Sequence, residues 1–352
     1  MTHRITNYCE EGCPHCMQNS TVLGEHATLG MIDKMIAFSK LSPLTTTIQI
    51  TGGEPLTHPE FITILDKYLK AFKGPDGELT LPITIISNGE IFQKPAKDEL
   101  QRADLKKMKK EVIKRLRNND HLLMQITTVP KLYPNHKKRY PQIEKGFNKL
   151  VKKYGEGLGI IVCNDLPNGI IPVGRAKDNM RSITKHQKEA FRKSTSCFNM
   201  YNVLKEMDGK LFKAIDYIKT HSITTFCKPM ITEKGRLVFG EYDRCSTVID
   251  LSEISTDNMN KMRDMTVDIS QVLGPCSGCI NNPEQQAIND TVLGDAFKKP
   301  ENYIPFAGAD QVDLNKTFSF SGVCGDTSKY TKKEEPKKIS SADLFRQADK
   351  KK

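Results

Sequence analysis

Short apolar runs alternate with amphipathic stretches along the first half of the chain. The runs are rich in β-branched residues, as strands are, whereas the stretches carry apolar residues three and four positions apart, as helices do. The predicted strands are Thr47–Thr51, Ile83–Ser87, Leu122–Thr127 and Leu158–Cys163. The predicted helices are Leu29–Lys40, His58–Phe72, Ala96–Asn118 and Gln142–Tyr154. Consecutive βα units of this kind predict parallel strands joined by right-handed crossovers.

The alternation weakens after Gly155. A helical pattern over residues 183–219 predicts one long helix that bridges to a second unit. Residues 226–283 have little periodicity beyond two β-like stretches around 235–241, yet they contain four of the ten cysteines. A unit this small needs a metal or a cluster to be stable. The predicted parts are an α/β unit over residues 1–220, a Cys-rich unit over 221–300 and a polar, Lys-rich tail over 301–352.

Composition narrows the class of protein. Of the 352 residues, 38% are hydrophobic and 27% are charged, and no apolar run approaches the length that spans a bilayer, so we expect no membrane insertion. No apolar leader lies between Met1 and Cys9, which favours a cytoplasmic location. The net charge of +11 is spread along amphipathic helices, and this distribution does not favour a specific nucleic-acid partner.

Most of the cysteines fall into two groups, which favours metal or cluster ligation over a disulfide framework. The first group, Cys9, Cys13 and Cys16, places three thiols on one tight loop. Three thiolates can hold three irons of a cubane and leave the fourth iron open, whereas electron-transfer clusters normally use four cysteines. The alternative is a structural zinc site with His15 as the fourth ligand.

This C-x3-C-x2-C loop resembles that of the radical S-adenosylmethionine (SAM) superfamily, in which SAM binds the open iron through its amino and carboxylate groups. The segment 52–55, Gly-Gly-Glu-Pro, is similar to the family's GGEP motif, and Ser-Asn-Gly at 87–89 is similar to its TNG turn. Both follow predicted strands, where parallel sheets bind ligands. Paired glycines permit close backbone approach, and a carboxylate can meet an ammonium. The resemblance implies SAM contacts from Gly52, Gly53, Glu54, Ser87, Asn88, Thr127, Arg139 and His15.

The second group contains Cys227, Cys245, Cys276 and Cys279. Four thiolates complete a closed site, which is either a cluster or a zinc ribbon. Their spacing resembles the Twitch module, a relative of the SPASM domain that carries one auxiliary [4Fe–4S] cluster. A full SPASM domain needs more cysteines than the single Cys324 that follows. The segment 172–176, Pro-Val-Gly-Arg-Ala, also resembles the end of the barrel in SPASM and Twitch enzymes.

The resemblance implies an α/β fold: a partial, abbreviated parallel TIM-like barrel of βα units with a small C-terminal Cys-rich iron–sulfur domain. It also implies two [4Fe–4S] clusters, SAM as cofactor, and an oxidoreductase that abstracts a substrate hydrogen. A small polyol or amino sugar and a peptide both fit as substrate, and a flavodoxin or ferredoxin fits as electron donor. The non-catalytic alternative is a zinc protein that binds nucleic acid through its basic surface.

Overall fold

The fold is built on an eight-stranded sheet, seen in a computed structural model that describes residues 1–16, 18–92, 99–127, 136–154, 157–163, 175, 200–220, 229–239 and 247–269. The strands are β1 (Thr2–Thr6), β2 (Ile48–Gly52), β3 (Ile83–Ser87), β4 (Leu122–Thr127), β5 (Ile160–Cys163), β6 (Pro229–Ile231), β7 (Arg236–Phe239) and β8 (Thr247–Asp250). The helices are α1 (Leu29–Leu41), α2 (Phe61–Ala71), α3 (Glu99–Arg117), α4 (His136–Tyr154), α5 (Met200–Glu206) and α6 (Leu211–Thr220).

The sheet is mostly parallel. Its strand order is β5-β4-β3-β2-β1-β6-β7-β8, and each strand from β1 to β4 pairs in parallel with the next one along the chain. Strand β6 pairs in parallel with the other side of β1, and β7 and β8 continue the sheet in antiparallel fashion. The predicted α/β class is therefore confirmed, and the arrangement is consistent with a partial TIM-like barrel.

The two faces of the sheet differ in polarity. Alternate residues of each strand point to opposite faces, and the helices cover the apolar face. Fully buried side chains on that face are Ile48, Ile50, Ile83, Ile85, Leu122, Met124 and Ile126. The registers of the strands place half-buried polar residues on the other face, namely Gln49, Thr51, Gln125 and Thr127. The same face also carries the half-buried apolar side chains of Ile86, Leu123 and Ile161, so the inner face of the sheet is mixed in polarity.

Two helix predictions need correction. The helix predicted to begin at Gln142 begins six residues earlier, at His136. Pro141 lies within α4 and does not end it, although proline cannot donate the backbone hydrogen bond of its position. The predicted helix over 183–219 is wrong in its described part, since α5 and α6 are separate. Asp208 and Gly209 both have positive φ, and Gly209 N donates to Leu204 O at 2.8 Å, which closes α5. Residues 183–199 lie outside the described residues.

A buried ion pair joins β1 to the turn after β6. Arg4 Nε lies 2.6 Å from Glu233 Oε2, and the two side chains are 1% and 3% exposed. Strand β7 falls within the β-like stretch predicted at 235–241, and it follows this turn. The described residues beyond 220 thus extend the same sheet, while the boundary placed at residue 220 stays a prediction.

Polar groups also enter the core between β1 and its covering helices. The ring of His3 is fully buried and contacts the Tyr68 hydroxyl through Nδ1 at 2.5 Å and the Ser39 hydroxyl through Nε2 at 2.8 Å. Burial holds the pKa of His3 well below its ordinary value, with a further lowering by the N-terminal charge.

Among the helices that the structure describes, none is both long and apolar enough to cross a bilayer.

Candidate active site

The three-cysteine loop leaves the carboxyl end of β1 and folds back on the chain that follows it. Cys9 N donates to Thr21 O at 3.0 Å, and Cys16 N donates to Cys13 O at 3.2 Å. Gly12 has a φ of 59°, which a residue with a Cβ rarely adopts. The backbone N–H of Ser20 also donates to Cys16 Sγ at 3.4 Å. These bonds hold the loop in a conformation in which Cys13 is buried and Cys9 and Cys16 are half-buried.

The thiols lie close enough to influence one another. The pKa of Cys9 and of Cys13 is raised to about 12, chiefly by burial and in smaller part by neighbouring carboxylates and by the other thiols of the loop. Three thiolates in such a place repel each other until a positive centre binds them. Within the described ranges, no three His, Cys, Asp or Glu side chains are placed to hold one shared metal ion. In a cubane, each thiolate binds its own iron.

Gly52 and Gly53 bring β2 against the start of this loop. Gly53 N donates to Thr6 O at 2.9 Å. A Cβ on Gly53 would lie 2.1 Å from Tyr8 O and 2.8 Å from Cys9 Cβ, distances that no real Cβ tolerates. The close approach expected of these glycines is thus made to the cysteine loop itself.

Glu54 joins the two predicted motifs. Its Oε1 accepts hydrogen bonds from Ser87 Oγ at 2.9 Å and from Leu56 N at 3.2 Å, and its Oε2 accepts one from Asn88 N at 2.7 Å. The residue is 1% exposed, and this burial raises the pKa of its carboxyl to about 7. In this structure, donors of the chain itself occupy the carboxylate that sequence reasoning assigned to an ammonium.

The Ser87–Gly89 turn presents one unused donor. Gly89 has a φ of 81° and donates from its N–H to Ser87 Oγ at 3.0 Å. Asn88 Oδ1 accepts from Glu90 N at 2.8 Å, which fixes the orientation of the amide. Asn88 Nδ2 is buried and has no hydrogen-bond partner in the described part of the chain. A buried N–H donor without an acceptor beside a three-thiol loop fits a cofactor that carries oxygen acceptors, as SAM does.

Arg139 holds the cysteine loop from α4. Its guanidinium forms an ion pair with Glu11, which lies between Cys9 and Cys13, and donates to Asn88 O at 3.4 Å. Both partners in the pair are largely buried. The positive charge of Arg139 lowers the pKa of Cys13, which opposes the effect of burial and favours the thiolate. Arg139 was expected to bind a SAM carboxylate, and the carboxylate it meets here is that of Glu11.

Arg175 holds the same loop from another side. Its Nε donates to Cys13 O at 3.1 Å and its Nη1 donates to Ser20 O at 2.7 Å. The remaining predicted residues lie nearby in the fold: His15 is half-buried within the loop, and Thr127 ends β4 opposite Cys163. Sequence reasoning missed the roles of Glu11 and Arg175. The sequence did offer a signal for each: Glu11 is a charged residue between two of the cysteines, and Arg175 lies in the Gly-Arg-Ala segment.

The predicted auxiliary site lies outside the described residues. This applies to all four of its ligands, Cys227, Cys245, Cys276 and Cys279, and to Cys197 and Cys324. The one-cluster interpretation and the zinc alternative for this group therefore stay predictions.

Three comparisons with known proteins relate the chain to others. Residues 4–164 match the model of the radical SAM superfamily. No curated protein matches the sequence. Among solved structures, anSMEcpe with bound AdoMet (SAM) and the Cp18Cys peptide is 12% identical with a TM-score of 0.38, over 79% of this chain and 85% of that one.

Two further solved structures are similar at comparable levels. BtrN in complex with AdoMet and 2-DOIA is 10% identical with a TM-score of 0.35, over 76% of this chain and 85% of that one. SuiB of Streptococcus suis, bound to its precursor peptide SuiA, is 11% identical with a TM-score of 0.39, over 80% and 71%. The family match covers residues 4–164, and it is to this part of the chain that the similarity with the radical SAM superfamily applies.

Proposed function

We propose that this chain is a radical SAM oxidoreductase whose SAM-binding [4Fe–4S] cluster is held by Cys9, Cys13 and Cys16. The observation that carries the proposal is the packing of the three-thiol loop against the Gly53–Glu54 and Ser87–Asn88 turns. When bound, the reduced cluster and SAM would supply a 5′-deoxyadenosyl radical that abstracts hydrogen from an unactivated C–H bond. The chain's own contribution is then binding, orientation and exclusion of water.

Each residue near the loop has a defined task in this proposal. Arg139 and Arg175 hold the loop through Glu11 and through the carbonyl oxygens of Cys13 and Ser20. Glu54 keeps the Ser87–Asn88 turn in place beside it. The unused Asn88 amide would then donate to an oxygen of SAM.

We further propose that the reaction is a net two-electron oxidation. An auxiliary cluster held by Cys227, Cys245, Cys276 and Cys279 would accept the second electron from the substrate radical. The support is the spacing of these cysteines. The substrate carries polar groups in this proposal, since Gln49, Thr51, Gln125 and Thr127 lie on the inner face of the sheet, among the apolar residues Ile86, Leu123 and Ile161.

Anaerobic reconstitution followed by metal analysis and a cleavage assay tests the proposal. We expect roughly eight irons and eight sulfides per chain, about four for each cubane, and release of 5′-deoxyadenosine after reduction in the presence of SAM. Deuterated candidate substrates would transfer label into 5′-deoxyadenosine and identify the reacting carbon. Tightly bound zinc without SAM cleavage, together with salt-dependent nucleic-acid affinity, would support the non-catalytic alternative.

Cysteine variants separate the two sites. Cys13→Ala should lose about four irons and all SAM cleavage, while Cys276→Ala should lose about four irons and retain uncoupled cleavage. Cys163→Ala is the matched control, because this cysteine belongs to neither group, and it should keep all the iron. SAM cleavage that survives in Cys13→Ala would refute the first site.

A further inference from the structure

Helix α4 presents an unbroken basic face to solvent. All six of its lysines are exposed, and its one acidic residue, Glu144, is only half-exposed. Four of these lysines recur at helical spacing along one side and form what we call the lysine stripe: Lys138, Lys145, Lys149 and Lys152. A shallow groove of about 380 Å³ runs along the same side and is lined by Pro141, Glu144, Lys145, Asn148, Lys149 and Lys152.

The charge of the stripe is not neutralised within the described part of the molecule. No carboxylate among the described residues lies within ion-pair distance of its lysines. The charge of Lys149 also reaches Lys109 on α3, whose pKa is lowered first by burial and then by Lys149. Like charges crowded between two helices lower the stability of the free protein, and an anionic partner would relieve that repulsion.

The stripe begins beside the three-cysteine loop. Arg139 in the first turn of α4 is ion-paired with Glu11 of that loop, and Lys138 is its exposed neighbour. From Lys138 to Lys152 the stripe extends about 21 Å at 1.5 Å per residue, which matches the footprint of a small protein domain. A molecule bound along α4 would therefore have one end next to the thiols of the loop.

We propose that the lysine stripe is the docking surface for a small acidic protein that carries one transferable electron. This inference rests on the proposed function, in which the cluster held by the loop must be reduced by one electron in each turnover. The donor protein would lose one electron to that cluster and leave oxidised, with no atom exchanged. A charged surface without large apolar groups suits a brief encounter, in which electrostatics sets the association rate.

Charge reversal on the stripe tests the docking surface. The probe is an acidic flavodoxin, titrated into the reconstituted full-length protein at low and at physiological salt. Lys145→Glu, Lys149→Glu and Lys152→Glu combined should raise the flavodoxin Kd by about tenfold or more and reduce its salt dependence. The matched control reverses three exposed lysines on α5 and α6, namely Lys205, Lys213 and Lys219, and should change the Kd by less than about twofold.

A second readout separates docking from catalysis. With dithionite as a small reductant, both triple variants should release 5′-deoxyadenosine at the wild-type rate, whereas flavodoxin-driven release should fall only in the stripe variant. Equal losses in both triple variants, or an unchanged Kd in the stripe variant, would overturn the proposal. Stripe-dependent binding of a single-stranded RNA with flavodoxin binding unaffected would overturn it as well. If dithionite gives no 5′-deoxyadenosine in the wild type, the proposed function fails, and the flavodoxin Kd still decides whether the stripe docks an acidic protein.

Discussion

Glu233→Leu removes one partner of the buried ion pair that attaches β6 to β1. Arg4 and Glu233 are 1% and 3% exposed, so neither charge retains useful contact with water in the folded chain. Once Glu233 is gone, the buried guanidinium of Arg4 loses the carboxylate that lies 2.6 Å from its Nε. Breaking a pair of this kind costs about 3–5 kcal/mol of unfolding free energy.

The double variant Arg4→Met with Glu233→Leu removes both charges at once. Neither charge then has to be desolvated, and two apolar side chains of similar volume fill the site. Replacements of this kind are neutral or stabilising by about 1–4 kcal/mol in other proteins. We therefore expect the second substitution to recover most or all of the stability lost in the single variant, with a coupling energy of about 3 kcal/mol or more.

Equilibrium unfolding in urea, followed by far-UV circular dichroism, measures all four proteins of the cycle. Hydrogen exchange should also show faster exchange in β6 for Glu233→Leu, because this strand loses its attachment to β1. Lys234→Leu is the matched control, since its ion pair with Glu25 is exposed on both sides. It should have little effect on stability. A Glu233→Leu protein less than about 1 kcal/mol below wild type would refute the assignment of a desolvated pair.

Three more substitutions test the site and the core. Gly53→Ala should lower iron content and SAM affinity, because its Cβ would overlap Tyr8 O, whereas Gly157→Ala, with open space around it, should do neither. Glu54→Ala removes the acceptor of three buried donors, Leu56 N, Ser87 Oγ and Asn88 N, at a cost of about 1–3 kcal/mol each. The stability of the apoprotein, measured in urea, and the SAM affinity, measured by calorimetry, should therefore both fall. A loss of SAM affinity alone would indicate direct SAM contact. The pKa of His3 is lowered in the folded protein, so below pH 6.5 the unfolded chain binds a proton that the folded chain does not. The free energy of unfolding should therefore decrease by up to about 1.4 kcal/mol for each pH unit below 6.5, and the slope should be shallower in His3→Gln.

Sequence periodicity predicted the parallel part of the sheet closely. The bounds of β3 and β4 agree with the predicted runs, because apolar residues recur throughout each run. The break between α5 and α6 was readable from the Asp208–Gly209 pair, a strong stop signal that the longer helical pattern concealed. Short strands such as β6 have too few residues to show a period.

For the candidate site, too, some features were predictable from the sequence and others were not. Motif spacing indicated that the three cysteines and the two turns belong together, and the fold packs them against one another. The partners of the charged side chains could not be predicted, because tertiary structure brings them from far along the chain. Glu11 and Arg139 are 128 residues apart in sequence, and Arg4 and Glu233 are 229 apart. Sequence pattern carries no record of such pairs.

The pairing of β1 with β6 also has a consequence for synthesis of the chain. Strand β1 has a partner on each side in the finished sheet, but β6 leaves the ribosome more than two hundred residues later than β1. At about 5–20 residues per second, one edge of β1 waits roughly ten to fifty seconds for that partner. An exposed strand edge invites pairing with other chains, and a charged side chain on it discourages such contacts. We expect Arg4 to protect the nascent chain from aggregation in this way before Glu233 arrives to bury it.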